Sequence, residues 1–244
     1  MNNRNWEEEI KNRVDWIKQV LSEAHAKGVI FGNSGGKDCA VVAALCKLAT
    51  DNVLGVILPC NNMGQDREDA INFAREFNIE SKEIDLTNIY NNMVEAIEKE
   101  NDQPLDLLPK SNIKPRLRMT TLYTIGQQRG YLVAGTSNKS EITMGYFTKW
   151  GDGASDFNPI SDLTMREVLE LGRALNVPDY ILKKTPSAGL WPGQSDEEEM
   201  GITYKAIDDY ILYGTGNRED IKKIDGYYNR TAHKRSMPKT YKPN

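Results

Sequence analysis

The residues with the clearest chemical meaning lie at positions 32–39, directly after the apolar run 29–31. Gly35 and Gly36 let the backbone approach a ligand closely, and Ser34 adds a hydroxyl group. An apolar stretch typical of a buried helix follows, and the N-terminal N–H groups and positive dipole end of a helix attract phosphate. The segment therefore predicts a phosphate-binding loop, although a tightly packed turn would use the same glycines.

Two well-known phosphate loops do not fit this segment. A Walker A loop needs glycine where Phe31 stands, and Ser or Thr where Asp38 stands. The dinucleotide pattern Gly-x-Gly-x-x-Gly is absent, because the glycines are wrongly spaced. A carboxylate beside phosphates is repulsive unless a cation lies between them, so Asp38 favours a bound Mg²⁺. The structural alternative is an Asp that only interacts with the helix dipole.

Hydrophobic periodicity predicts how this loop is positioned. Apolar runs at 29–31, 53–58 and 131–134, together with a weak strand at 81–84, alternate with helical patterns, which is typical of a parallel sheet between two layers of helices. Asp66 is expected to cap the helix after the second strand, and residues 101–115, with three prolines, are expected to form a loop. Residues 183–201 form a long connection of the kind that often covers a site. We expect one α/β domain over residues 1–244.

Composition excludes several classes of protein. The 244 residues include 31 Lys and Arg, 35 Asp and Glu, and 39% hydrophobic residues, with no apolar run of membrane-spanning length and no signal peptide. Three cysteines without a Cys-x-x-Cys pair favour a reducing, cytoplasmic location. Five basic residues and no acid lie in 229–244, which indicates either an anionic partner or a solvated terminus. The acidic remainder argues against a nucleic-acid partner.

The loop Ser-Gly-Gly-x-Asp at 34–38 resembles the pyrophosphate loop of the adenine-nucleotide α-hydrolase-like ATP pyrophosphatases. That resemblance implies a Rossmann-like, three-layer α/β/α fold. Five further stretches, in order, resemble the NAD synthetase (NadE) family: Lys-Pro-Arg-Leu-Arg-Met at 114–119, Gly-Thr-Ser-Asn-Lys-Ser-Glu at 135–141, the segment 145–156, Gln-Ser-Asp-Glu-Glu-Glu-Met-Gly at 194–201, and His-Lys-Arg at 233–235. The resemblance extends from the first helix to the basic tail.

The resemblance implies roles for individual residues. ATP would contact Gly32, Asn33, Ser34, Gly35, Gly36, Lys37, Asp38, Cys39, Thr136 and Ser187. Mg²⁺ would bind Asp38 and Glu141, and deamido-NAD would contact Arg116, Lys149, Asp156, His233 and Lys234. Asp38, Glu141 and Lys149 are the expected catalytic residues. Two positions depart from the family: Cys39 replaces a frequent Ser, and Met165 replaces an ATP-contacting Lys, for which Arg166 is one substitute.

The implied reaction is the ATP-dependent amidation of deamido-NAD to NAD with free ammonia, through an acyl-adenylate, because the chain has no room for a glutaminase domain. The family also implies a homodimer without a membrane partner, and a basic tail that folds back on the substrate or reaches the other subunit. We expect residues 183–201 to close over ATP. The alternatives are another ATP-pyrophosphatase amidase, a tRNA-thiolating enzyme, and a non-catalytic adenine-nucleotide sensor.

Overall fold

The computed structural model describes residues 4–61, 63–187, 189–191 and 193–241. Within them, a parallel sheet contains β1 (Gly28–Gly32), β2 (Val53–Ile57), β3 (Glu80–Glu83) and β4 (Tyr131–Val133), in the order β3-β2-β1-β4. The helices are α1 (Trp6–Glu23), α2 (Lys37–Ala49), α3 (Gln65–Glu76), α4 (Thr87–Glu100), α5 (Leu107–Ser111), α6 (Ile113–Arg129), α7 (Lys139–Met144), α8 (Met165–Ala174), α9 (Asp179–Leu182), α10 (Asp196–Met200), α11 (Tyr204–Tyr213) and α12 (Arg218–Arg230), followed by the 3-10 turn Ala232–Lys234. The α/β prediction is confirmed.

Side chains of β1 alternate between two apolar layers. Val29 and Phe31 are fully buried in one cluster with residues of α1, α2 and α8. Ile30 is fully buried in another, with residues of β2, α4 and α6. Because alternate side chains of a strand point to opposite faces, this division places the sheet between two helical layers. The predicted three-layer α/β/α arrangement is therefore confirmed.

A third apolar cluster packs α7 and α8 against the C-terminal helices. It contains Met144, Met165, Met200 and Ile207, all of which are buried. This cluster holds α7 against α8 and the C-terminal helices. Among the described residues, no helix is both long and apolar enough to cross a membrane.

Strand order determines where a ligand can bind. From β1 the chain moves outward to β2 and β3, and then returns to place β4 on the other side of β1. Parallel sheets open a crevice at the carboxyl ends of the strands where the direction of winding reverses. The loop of residues 33–36 lies at that point, at the end of β1.

Two local predictions are corrected by the structure. Asp66 lies in the first turn of α3, whose N-cap is Gly64 with φ of +55°, so Asp66 adds favourable charge to the helix start and is not its cap. The expected loop at 101–115 contains α5 and the beginning of α6. Pro109 and Pro115 both lie in first turns, where a missing N–H group costs no helical hydrogen bond.

Candidate active site

The loop after β1 is held closely against α3. Gly35 has φ of +74°, and a Cβ atom there would lie 2.2 Å from the backbone oxygen of Asp66, so only glycine fits. The buried side chain of Asn33 donates a hydrogen bond from Nδ2 to Ala70 O at 2.9 Å. The loop conformation is therefore determined by both its own backbone and the neighbouring helix.

The start of α2 has backbone amides available for an anion. Gly36 is the N-cap, and no described side chain caps this helix. Within the loop, Gly35 N donates to Asn33 Oδ1 at 3.4 Å and Gly36 N donates to Ser34 Oγ at 3.3 Å, both longer than the usual 2.9–3.0 Å. Weakly held N–H groups at the positive end of a helix are suited to binding phosphate oxygens.

Cys39 faces the same loop from the first turn of α2. Its Sγ donates to Gly36 O at 3.1 Å and lies 3.3 Å from Ser34 Oγ. Burial raises the pKa of this thiol, so it stays protonated at neutral pH. Cys39 therefore makes the short-range contacts that a serine hydroxyl would make at this position.

Lys37 contributes its backbone to the loop, whereas its side chain points elsewhere. The side chain is buried, and Nζ donates to Lys184 O at 2.8 Å, which connects the loop to the segment after α9. Burial lowers the pKa of Lys37.

Asp38 and Glu141 are brought together through Asn138, the N-cap of α7. Asn138 Nδ2 donates to Asp38 Oδ1 at 3.0 Å, and Asn138 N donates to Glu141 Oε2 at 3.0 Å. Burial raises the pKa of both carboxyl groups, and the charge of Asp38 raises that of Glu141 further. Two neighbouring half-buried acids whose pKa values burial raises are a place where a cation would bind.

The donor set at this place fits Mg²⁺. Both groups supply carboxylate oxygens, the ligands this cation prefers. The described residues contain no group of three or more His, Cys, Asp or Glu side chains that could hold a metal ion alone. Since Mg²⁺ is commonly held by one or two carboxylates together with substrate phosphates, Asp38 and Glu141 beside a phosphate loop satisfy its requirements.

The expected dinucleotide contacts from the tail lie near residues 145–149 of the same chain. Lys149 Nζ donates to His233 O at 2.7 Å, and Lys234 Nζ donates to Gly145 O at 2.7 Å and Phe147 O at 2.6 Å. Arg116 Nε donates to Lys149 O at 3.4 Å. Four of the five predicted residues therefore meet in one basic surface, and the tail folds onto its own chain.

The other predicted residues lie at three separate positions. Asp156 is exposed beside β4, and its Oδ2 accepts a hydrogen bond from Val133 N at 2.7 Å. Thr136 is half-buried between β4 and α7. Ser187 is exposed in the segment 183–201, and its Oγ accepts from Gly189 N at 3.2 Å.

The start of α8 does not direct a cation toward the loop. Met165 is only 5% exposed and packs in the third apolar cluster. Arg166 Nη2 forms an ion pair with Asp209 Oδ1 at 2.6 Å, on α11. The lysine that the family resemblance places at 165 therefore has no counterpart in either side chain.

The described parts of the segment 183–201 are anchored to the body of the protein. Lys114 Nζ donates to Leu190 O at 2.6 Å, and Gln194 Nε2 donates to Tyr146 OH at 3.2 Å. These bonds tie the segment to α6 and to the turn after α7. Closure over a ligand, which we predict from the sequence, would begin from this anchored position.

Sequence reasoning missed two residues of the site, Asn138 and Lys184. Asn138 stands three positions before Glu141 in a capping box, a pattern that the sequence displays and that could have been recognised. Lys184 lies in a long connection without a motif. Its Nζ donates to Gly35 O at 2.8 Å, and only the folded chain reveals this contact.

Comparisons with known proteins show the family of this chain. The family model described as NAD synthase matches residues 9–238. The NH(3)-dependent NAD(+) synthetase of Carboxydothermus hydrogenoformans is 45% identical over 235 residues, covering 96% of this chain and 97% of the relative. Among solved structures, an NMN synthetase from Francisella tularensis has a TM-score of 0.92 at 39% identity, covering 98% of this chain and 99% of that one. An NH3-dependent NAD synthetase from Campylobacter jejuni has a TM-score of 0.80 at 30% identity, covering 98% and 100%. The chain belongs to the NAD synthase family.

Proposed function

We propose that this protein catalyses the ATP-dependent amidation of deamido-NAD by ammonia, producing NAD, AMP and pyrophosphate. The observation that carries the proposal is the position of Asp38 and Glu141, joined through Asn138, beside the uncapped start of α2. Backbone donors for phosphate and a pair of acids for Mg²⁺ are what a reaction that cleaves ATP between its α and β phosphates requires.

The proposed mechanism has two balanced steps. An oxygen of the nicotinate carboxylate attacks the α-phosphorus of ATP, the bond to the bridging oxygen breaks, and pyrophosphate leaves. Ammonia then attacks the acyl carbon, loses a proton, and AMP leaves with the electron pair of the acyl–oxygen bond. Bound Mg²⁺ would neutralise phosphate charge in the first step.

The residues of the chain would align and screen the reactants. Amides at the start of α2, with Ser34, bind the β and γ phosphates, and Asp38 and Glu141 would hold the metal. Thr136 and Ser187 would contact ATP.

The dinucleotide would be held by a second group of residues. Positive charge for it comes from Arg116, Lys149 and Lys234, and His233 and Asp156 would add further contacts. Lys149 and Lys234 both donate to backbone oxygens of the same chain, so a single chain holds the two ammonium groups near each other.

The experiment that tests the proposal is a complete reaction with ATP, MgCl₂, deamido-NAD and ammonium chloride. We expect NAD and AMP in equal amounts, and neither product when any one component is omitted. Glutamine should not replace ammonium. ATP binding without AMP formation would contradict the proposal and favour the nucleotide sensor instead.

One observation favours a second candidate substrate. The Francisella NMN synthetase has a TM-score of 0.92 with this chain, against 0.80 for the Campylobacter NAD synthetase. The same amidation performed on nicotinic acid mononucleotide would yield NMN. The curated NAD synthetases with 40–45% identity favour the dinucleotide. A comparison of kcat/KM for the two acids, under identical ATP and ammonium concentrations, decides between them.

We further propose that two copies of the chain associate through α4. Ile89, Met93 and Ile97 are 52%, 44% and 39% exposed and follow each other at four-residue spacing, which places them on one helix face. An exposed apolar stripe of this kind is typical of an interface, and a second copy of the chain would cover it. Sedimentation of wild type and Met93→Lys tests this: wild type should be a dimer and the variant a monomer.

The sequence-based expectation of a cytoplasmic location remains a proposal. It is supported by Cys39, Cys46 and Cys60, which are free, buried thiols suited to a reducing compartment. Cell fractionation tests it directly.

A further inference from the structure

Lys184 has not yet been given a role, although its side chain contacts the loop after β1 and two acids of α3. Its Nζ donates to Gly35 O at 2.8 Å and to Asp66 Oδ1 at 2.8 Å, and it also contacts the carboxylate of Asp69. An ammonium group has three donors, and here each one has an acceptor. The residue thus links the phosphate loop to the start of α3.

We propose that Lys184 is a positioning residue that orients the peptide between Gly35 and Gly36 for phosphate binding. In a trans peptide the carbonyl oxygen and the following N–H group point in opposite directions. Holding Gly35 O from one side therefore directs the amide of Gly36 to the other side, where α2 begins and where its long bond of 3.3 Å to Ser34 Oγ leaves it able to turn to a phosphate. The role of this loop in holding ATP rests on the proposed function.

Neighbouring residues hold the Lys184 ammonium group in this position. Asp69 is buried, and Gln65 Nε2 donates to its Oδ1 at 3.0 Å. Although burial acts in the opposite direction, hydrogen bonds from Lys184 and Gln65 lower the pKa of Asp69, so it is ionised at neutral pH. The backbone of Lys184 is also held in place, because its carbonyl oxygen accepts a hydrogen bond from Lys37 Nζ.

The loop itself depends on such a contact. Gly35 adopts φ of +74°, and glycine has more alternative backbone conformations than any other residue. Without the lysine, the peptide after Gly35 loses a charge-assisted hydrogen bond and can rotate. The loss should concern the phosphates that the loop holds, and not the adenosine or the second substrate.

The test compares Lys184→Ala with Lys183→Ala, a matched control in which the neighbouring lysine loses only an exposed ion pair with Asp179. Titration calorimetry measures binding of inorganic pyrophosphate and of AMP, with Mg²⁺ present. For Lys184→Ala we expect pyrophosphate to bind about tenfold more weakly, as for one lost charged hydrogen bond, with AMP unchanged. Lys183→Ala should match wild type, and Lys184→Arg should recover most of the loss.

Steady-state kinetics add a second readout. Lys184→Ala should raise KM for ATP and leave KM for the nicotinate substrate unchanged. Equal weakening of pyrophosphate and AMP, or equal rises in both KM values, would overturn the proposal, because that pattern reports general loosening. If the alanine variant does not fold, Asp66→Asn should weaken pyrophosphate in the same direction by a smaller factor, and no change would also overturn it.

Failure of the proposed function gives a different pattern. A wild-type protein that makes neither NAD nor NMN, yet binds pyrophosphate in a Lys184-dependent way, would refute the reaction and leave the positioning role intact. Wild-type turnover together with unchanged pyrophosphate affinity in Lys184→Ala would refute only the positioning role.

Discussion

Asn138 and Asp38 are joined by a hydrogen bond of 3.0 Å between Nδ2 and Oδ1, although 100 residues separate them in the chain. The bond connects the start of α7 to the start of α2. Asn138 also caps α7, and its backbone N–H donates to the Glu141 carboxylate in the capping box, so this one residue contacts both proposed metal ligands.

The first prediction concerns this asparagine. Asn138→Ser keeps an N-capping side chain but removes the amide donor to Asp38. We expect kcat to fall by about 10- to 100-fold, with a higher Mg²⁺ concentration for half-maximal activity, as is common when a residue behind a metal ligand is lost. Activity measured across a MgCl₂ titration checks this.

The control is Asn91→Ala, which changes an exposed asparagine of α4. It should leave both kcat and the Mg²⁺ requirement unchanged. An Asn138→Ser variant with a wild-type Mg²⁺ titration would show that Asn138 does not position the carboxylates.

The second prediction concerns the basic tail. Lys234→Ala removes hydrogen bonds to Gly145 O and Phe147 O, so residues 145–149 and the Lys149 ammonium lose their fixed position. We expect KM for deamido-NAD to rise about tenfold, as for one charged hydrogen bond, while KM for ATP changes little. Lys239→Ala, in the exposed end of the tail, should behave as wild type.

The third prediction concerns position 165. Met165→Lys places an ammonium group in an apolar cluster beside Met144 and Met200. Burial of an unpaired charge should lower the free energy of unfolding by about 2 kcal/mol or more, without improving KM for ATP. Met165→Leu, which conserves volume, should cost less than about 1.5 kcal/mol. Urea denaturation of both variants measures these free energies of unfolding. A Met165→Lys variant as stable as wild type would contradict the burial of this side chain in the apolar cluster.

The fourth prediction concerns the thiols. Burial raises the pKa of Cys46 to about 12, so at pH 8 it is almost wholly protonated, and the thiolate is the reactive form. Burial also raises the pKa of Cys39 and Cys60. In a colorimetric thiol assay at pH 8, the native protein should react slowly and three thiols should appear after denaturation. If any of the three thiols reacts quickly in the native protein, that cysteine is not buried as described.

Much of the architecture could be predicted from the sequence because its signals are local. Val29–Phe31 form part of β1, as the continuous apolar run indicates, and Asn5 caps α1 through Glu8 N. The capping box of Thr164 and Glu167 begins α8 where predicted. The sequence predicts a phosphate loop at 34–38 because glycine, hydroxyl and carboxylate stand together within five positions of the chain, and the structure places these residues between β1 and α2.

The contacts that complete the site could not be predicted, since they join residues far apart in sequence. Lys184 reaches Gly35 across 149 positions, and nothing around residue 184 encodes that partner. The α4 pattern also misleads: Ile89, Met93 and Ile97 have helical spacing, yet they are exposed, while Tyr90 and Val94 face the core. Periodicity identifies the helix, whereas the packing of α4 and α6 selects the buried face.

The reciprocal bonds between Lys37 and Lys184 limit how the protein can be redesigned. Each lysine donates to the backbone of the other's segment, so the phosphate loop and the connection after α9 are matched as a pair. Both acceptors are backbone oxygens, so a stretch grafted alone from a relative keeps these bonds only if its backbone follows the same path and its lysine is retained. Chimeras should therefore exchange both stretches together, with the acidic start of α3 retained.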